Sequence, residues 1–362
     1  MAKHNAANTR IKREYFQYLK EAMRRNESSI DAVAKALARF EEANGHKDFR
    51  KFHKQQAMAF KKKLDTQNSV QTGKPLSRAT VHSTLSALKA FFIWLAGQPG
   101  YKSKLAYDDA QYFNLSDKDV RIAKASREKP VPTLEQIHYV LASMPGGSDI
   151  ELRNRALIAF AILTGARDGA MASLKLKHID LAEGVVHQDA RDVRTKASKS
   201  FSTWFFPVDG KALEIVTQWC QHLRLNMLWN EDDSLFPKTQ IGLGPEGGFV
   251  PVGLAREGWK SAGPIRDIFK AAFESAGLPY FNPHSFRNTL VQLGERRCTT
   301  AEEFKSWSQN LGHERVLTTL TSYGSVPPHR QAELIRSMQS TGASTAKSEM
   351  QRLARLVLEN PD

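Results

Sequence analysis

Cysteine is nearly absent: Cys220 and Cys298 are the two in 362 residues. They have no metal-ligand spacing and give no sign of a disulfide framework, which removes the stapled secreted scaffolds and points to a reducing, cytoplasmic setting. No apolar run is long enough to cross a bilayer. The opening MAKHNAANTRIK lacks the apolar core of a secretory leader. There is no Walker loop, no carboxylate cluster and no His/Cys set, so neither nucleotide hydrolysis nor a metal centre is expected, and no cofactor. The run GLGPEG at 242–247 matches a dinucleotide fingerprint by letters. It lacks a preceding strand and places a proline inside the motif, so that reading fails on context. No internal repeat is visible.

Positive charge is plentiful and unevenly placed. The formal net charge is +14, and residues 1–128 carry 25 Lys/Arg against 13 Asp/Glu, leaving 27 against 25 for residues 129–362. A small segment holding nearly all the excess is the electrostatic footprint expected for a polyanion, DNA or RNA alike. A solvated basic surface would show the same count.

The length suggests two domains, each able to bury a core. Residues 8–43 alternate apolar and charged positions at helical spacing, with a break near Asn26 and Ser28 or Ser29 as the cap of a second helix. A third helix is predicted over 48–65, and 66–75 is a loop by composition. Ser77 caps the next, whose apolar stripe is Leu85, Leu88, Phe92 and Leu95. Residues 116–132 are polar and basic and end in Pro-Val-Pro, which reads as a linker between domains, extended at its end.

Thr133 opens a second domain whose run ALIAFAILTG predicts a buried helix. A strand pair follows (GVVHQD and FSTWFFPV), and then a helix over 210–226 with Leu213, Val216, Trp219, Cys220 and Leu223 inward. Residues 237–263 read as a long Gly/Pro-rich loop. Helices are predicted at 264–276, from His284, and to Gly312 behind a Thr300/Glu303 capping box. Two more are predicted near 328–338 and 346–359.

The chemistry-bearing stretch is 283–324. His284 and Arg287 stand three apart, on one helix face, so both can reach one anionic group. His313 follows a Leu-Gly, and Tyr323 lies ten residues beyond. Cationic and proton-donating groups beside a phenol suit phosphoryl transfer through a tyrosine ester.

H-x-x-R, L-G-H and the tyrosine, preceded by LTGARDGAMASLKLKHIDL at 163–181 and RTKASKS at 194–200, resemble the tyrosine recombinases in the family's order. The resemblance covers most of residues 133–338. It implies a mainly α fold with a small β-sheet in the second of two domains: a helical core-binding domain at 1–115, a linker at 116–132, a mixed α/β catalytic domain at 133–340, and a tail at 341–362. It implies a site-specific recombinase, an integrase of a phage or other mobile element that cuts and rejoins DNA through a 3′-phosphotyrosyl link. A type IB topoisomerase and an idle DNA-binding protein of the same fold are the alternatives.

On this resemblance Arg167 and Arg287 clamp the phosphate. His284 and His313 donate to it or take a proton, Tyr323 is the nucleophile, and Lys196 is the general acid with Lys199 its rival. Lys51, Lys54, Lys61, Arg78, His82, Ser86 and Lys89 are the candidate DNA contacts. Double-stranded DNA, a homotetramer on it and accessory bending or directionality factors are the implied partners. The implied setting is the bacterial nucleoid, without a membrane. The tail helix docks in cis or in trans. Two departures stand out: Ala170 occupies the position where the family commonly has an acidic residue, and the His313–Tyr323 interval is one residue longer than in the Xer proteins.

Overall fold

The computed structural model describes residues 4–69, 73–125, 130–195, 198–244 and 246–313. The helices expected at 328–338 and 346–359 lie outside them. The chain divides into two compact units, Met1–Ala125 and Ser126–Asp362.

The first unit is helical. Helix α1 (Ala6–Gln17) runs into one π-helical turn, Tyr18–Ala22, and α2 (Glu27–Asn44) follows. Asn26 caps α2 by accepting from the Ser29 amide, so the cap lies two or three residues before the expected serines. Gly45, at φ 69°, ends it in the left-handed conformation that costs glycine little. Helices α3 (Lys54–Thr66), α4 (Arg78–Ala96, capped by Ser77) and α5 (Asp117–Lys124) complete the unit, with a 3-10 segment at Tyr107–Phe113.

Helix α5 lies inside the stretch expected to be a linker and packs against α4. Ser116 caps it, Asp117 and Asp119 start it, and Arg121 and Lys124 end it. These charges suit a helix dipole and read, without that context, as a polar linker. Phenyl rings fill the centre of the unit. Phe40 touches Phe49, Phe52, Phe60, Phe92 and Phe113 at 5.2–6.4 Å, and Phe52 stacks on Phe92 at 3.7 Å. Helix α4 is long and apolar enough to cross a membrane by composition, yet Val81, Leu85, Leu88, Phe91, Phe92 and Leu95 are buried in this core.

In the second unit α6 (Leu134–Ser143) begins at a Thr133/Gln136 capping box, and α7 (Asp149–Thr164) is buried without interruption from Ala156 to Thr164. Helix α8 (Asp168–Met171) is a single turn. Strands β1 (Ile179–Asp180), β2 (Val185–Gln188) and β3 (Phe201–Trp204) form an antiparallel sheet in sequence order, with Val186 opposite Thr203. Helix α9 (Gly210–Gln221) packs on α7, and α10 (Gly263–Ser275), α11 (Pro283–Arg297) and α12 (Ala301–Asn310) follow. Leu213, expected inward, is 37% exposed, because the buried face of α9 runs through Ala212, Ile215, Val216 and Trp219.

The expected loop at 237–263 contains a hairpin, β4 (Thr239–Leu243) and β5 (Phe249–Leu254). So a strand does precede GLGPEG, although a second strand and not a helix follows it. The glycines that made the stretch read as loop have a packing reason. A Cβ on Gly242 would lie 3.0 Å from a Val252 methyl, and one on Gly244 3.1 Å from a Val250 methyl.

A buried arginine roots this hairpin. Arg153 donates to the Pro237 carbonyl and to Thr239 Oγ1 (3.0 Å), and its guanidinium lies 4.9 Å from the Trp259 ring centroid. Burial pulls its pKa down to about 10, which still leaves it charged at neutral pH. Replacing it, as Arg153→Leu, strands a buried carbonyl. We expect a loss of about 1–3 kcal/mol in urea unfolding, with faster amide exchange at Thr239 and Leu254 than elsewhere in the unit.

Candidate active site

Three segments distant in sequence meet at one side chain. Helix α7 ends at Gly165 (φ 60°), where a Cβ would sit 2.9 Å from Leu311 Cδ2 and 3.0 Å from Leu290 Cδ1. The chain then extends through buried Ala166 to half-buried Arg167, which precedes α8. Helix α11 begins with Asn282 accepting from the Ser285 amide and with Pro283 in its first turn. That start leaves His284 exposed and carries Arg287 inward to 2% exposure.

The third segment, Leu311–Gly312–His313, is a helix-end motif. Gly312 (φ 67°) donates to the Gln309 carbonyl and His313 to that of Ser308, the paired bonds that close a helix through a left-handed glycine. A Cβ on Gly312 would meet the Phe201 ring at 2.8 Å. The Leu-Gly-His string is thus a cap that delivers a histidine.

Arg287 joins the three. Its guanidinium donates to the carbonyls of Gly165 and Leu311, and Nη2 lies 3.2 Å from His313 Nε2. A guanidinium only donates, so in this contact Nε2 accepts and the ring's proton sits on Nδ1. The buried Arg287 guanidinium, the α11 N-terminus carrying His284, and Arg167 two residues past the carbonyl that Arg287 holds thus lie on segments joined at this point. His284 and Arg287, expected on one face of this helix, differ in exposure, His284 outside and Arg287 buried. Arg287 and His313 are in contact with one another. Lys199 is exposed in the β2–β3 connection. Lys196 and Tyr323 lie outside the described residues.

Supporting residues that the sequence reading passed over hold these segments. Asp168 accepts from the Gly169 amide (2.9 Å) and from Arg266 Nε (2.7 Å), so an acidic side chain supports the Arg167 turn from one residue on, where Ala170 does not. Asp168 was visible beside Arg167. Its partner, 98 residues away, left no local signal. Arg194 donates to the carbonyls of Ala172, Trp259 and Lys260, fixing the start of the Lys196 segment. The Asn310 amide exchanges two hydrogen bonds with the Trp204 backbone (2.7 and 2.8 Å), tying α12 to β3, and Trp307 Nε1 donates to the Leu290 carbonyl (2.9 Å).

Among the candidate DNA contacts of the first unit, Lys51, Lys54 and Ser86 are exposed and His82 is half-buried. Lys61 and Lys89 both donate to Asn114, at its carbonyl and its Oδ1 (2.9 Å each), and Arg78 pairs with Asp65 at 2.7 Å. Those three side chains have internal partners to exchange before they meet a phosphate.

The phage integrase family model matches residues 130–326, more than half of the chain. Tyrosine recombinase XerC of Lactobacillus delbrueckii is 26% identical over 253 residues, covering 68% of this chain and 72% of that protein. Escherichia coli XerC is 29% identical over 248 residues, 68% and 70% of the two chains. Among solved structures, a lambda integrase dimer bound to a COC′ core site superposes with TM-score 0.58 at 14% identity, covering 87% of this chain and 95% of that one. The post-cleavage complex of XerH gives 0.56 at 19%, covering 85% and 79%. This chain belongs to the phage integrase family, the tyrosine recombinases, and is a site-specific DNA recombinase acting by transesterification. The two-unit, mainly α architecture with a small sheet is the one the sequence led us to expect.

Gly312→Ala forces a left-handed alanine against the Phe201 ring. We expect a loss of about 1–3 kcal/mol in thermal unfolding, and loss of the Arg287–His313 contact, read by NMR of the histidine ring.

Proposed function

We propose that this chain is the integrase of a mobile element, joining DNA strands at specific sites as a tetramer. The observation that carries the reading is the buried Arg287 guanidinium bonded to Gly165 and Leu311 and touching His313, because it unites three of the family's ordered motifs into one anion site.

In this scheme Arg167 and Arg287 bind the non-bridging oxygens of the scissile phosphate, with planar forks that stay charged as negative charge builds up. The Tyr323 hydroxyl attacks phosphorus, passing its proton to His284, while His313 donates from Nδ1. The bond to the 5′-oxygen breaks and Lys196, or Lys199 in its stead, protonates the leaving oxygen. A 3′-phosphotyrosyl ester and a 5′-hydroxyl result. The hydroxyl of a second strand then attacks the ester and restores a phosphodiester, so bond count is conserved and no nucleotide is consumed.

The basic first unit would hold the duplex, with Lys51, Lys54, Lys61, Arg78, His82, Ser86 and Lys89 toward it. Similar proteins solved as a dimer on a core site and as a tetramer on a Holliday junction support assembly on DNA. We place the tail at 341–362 against a neighbouring protomer, accessory bending or directionality factors at the junction, and the reaction in the bacterial cytoplasm.

The test starts from duplexes selected out of a random pool by the protein, nicked just past the cleavage point and incubated in EDTA. Wild type should leave DNA covalently joined to protein, and Tyr323→Phe should leave none. Arg287→Lys, too short and singly pointed to hold both carbonyls, should slow adduct formation by about 100-fold or more. Tight binding without an adduct would reduce the chain to a DNA-binding protein, and adducts without exchange between two sites would make it a topoisomerase.

A further inference from the structure

The β4–β5 hairpin has no role in the chemistry, and its surface is unusual for this chain. Leu243 and Phe249 face one another across the strands and are 75% and 82% exposed. Ile241, Val250 and Val252 are exposed beside them. At the hairpin's base lies an open notch of about 740 Å³, walled by Met227, Trp229, Ile241 and Leu254. Leu225 and Leu228 stand exposed on the segment that supplies Met227 and Trp229. Leu228 is held at φ 54°, a left-handed position that a leucine adopts only under constraint. A projecting apolar tongue therefore lies next to a recess whose wall mixes apolar side chains with Lys238, Thr239, Gln240 and Arg256. Arg153 roots the tongue rigidly, through Pro237 and Thr239.

Charge narrows the occupant. Across residues 239–254 the one charged residue is Glu246. The cations that frame the notch are already paired, Lys238 with Glu257 and Arg256 with Asp233. A phosphate backbone is bound by cations, so this neutral surface does not suit DNA. The chain's positive excess lies almost wholly in residues 1–128, and residues 129–362 are nearly balanced, 27 Lys/Arg against 25 Asp/Glu, so copies that meet through the second unit repel one another little. Within that unit the tongue, with its exposed apolar side chains, and the notch, with its cations paired, are where apolar burial is available.

We propose that the β4–β5 hairpin docks on a second copy of this chain, tongue against notch, when two protomers occupy neighbouring half-sites. The inference rests on the DNA-recombinase reading and adds to it a protomer contact made by the hairpin. Five exposed apolar side chains on one hairpin are far fewer than the ~20–30 residues per side of a stable free interface. The contact therefore acts as cooperativity on DNA, between copies already brought together.

The experiment uses the full chain and the DNA it selects from random duplexes. Binding is measured to one half-site and to two adjacent half-sites, for wild type and for Leu243→Ser/Phe249→Ser, whose changes fall on exposed side chains. The variant should bind one half-site as wild type does and lose cooperativity on two by about tenfold, the usual scale of such coupling. Unchanged cooperativity, or none in wild type, overturns the proposal. A drop in melting temperature without loss of cooperativity also overturns it, assigning the hairpin to another segment of its own chain. If wild type selects no DNA, the recombinase reading falls, and sedimentation at about 200 µM decides the contact alone, on a weak-interface scale. Self-association lost in the variant keeps the contact, and its absence in wild type removes it.

Discussion

The Arg287 guanidinium is the interaction around which the second unit is arranged. A charge this buried must have its donors satisfied, and two of its acceptors are carbonyls that ordinary helix and strand ladders leave open: one at the end of α7 and one at the end of α12. Those bonds orient the guanidinium without supplying a counter-charge, since a carbonyl is a dipole. The same bonds fix the Gly165 and Leu311 turns, and so place Arg167 and His313 relative to α11. Positioning and electrostatics here are one arrangement.

Packing makes that arrangement rigid. Two left-handed glycines, Gly165 and Gly312, let their turns approach Leu290, Leu311 and Phe201 more closely than a Cβ would allow. Asn310 and Trp307 tie α12 to β3 and α11 through backbone groups. The buried half of α7, Ala156 to Thr164, leads directly into Gly165, so Arg167, Arg287 and His313 stand on segments anchored in a core. The first unit has a different character. Its aromatic core supports a surface that carries most of the chain's positive excess, and some of those cations are already held by Asn114 and Asp65.

Legibility followed the range of the interaction. Buried α7, the Thr133 and Thr300 capping boxes, the Ser77 cap and the glycine helix ends were readable because each depends on residues within about one turn. The β4–β5 hairpin was not. Its glycines looked like loop residues until Val250 and Val252 stood opposite them. Helix α5 was hidden for a related reason, since its polar composition hides a face that packs on α4. Leu213 was misplaced because helical spacing allows two nearby stripes, and the choice between them belongs to the partner surface.

By itself the sequence determined the ordered motifs, the charge asymmetry, the mainly α two-domain plan and the family, because these rest on residue identity and short-range periodicity. Tertiary structure alone decided how the motifs meet. It set Arg287 against Gly165, 122 residues away, and gave Asp168 its partner Arg266. It tied Lys61 and Lys89 to Asn114 and exposed the apolar hairpin. Each of these is a contact across a long loop, whose closure depends on the packing of the whole core and leaves no periodic trace along the chain.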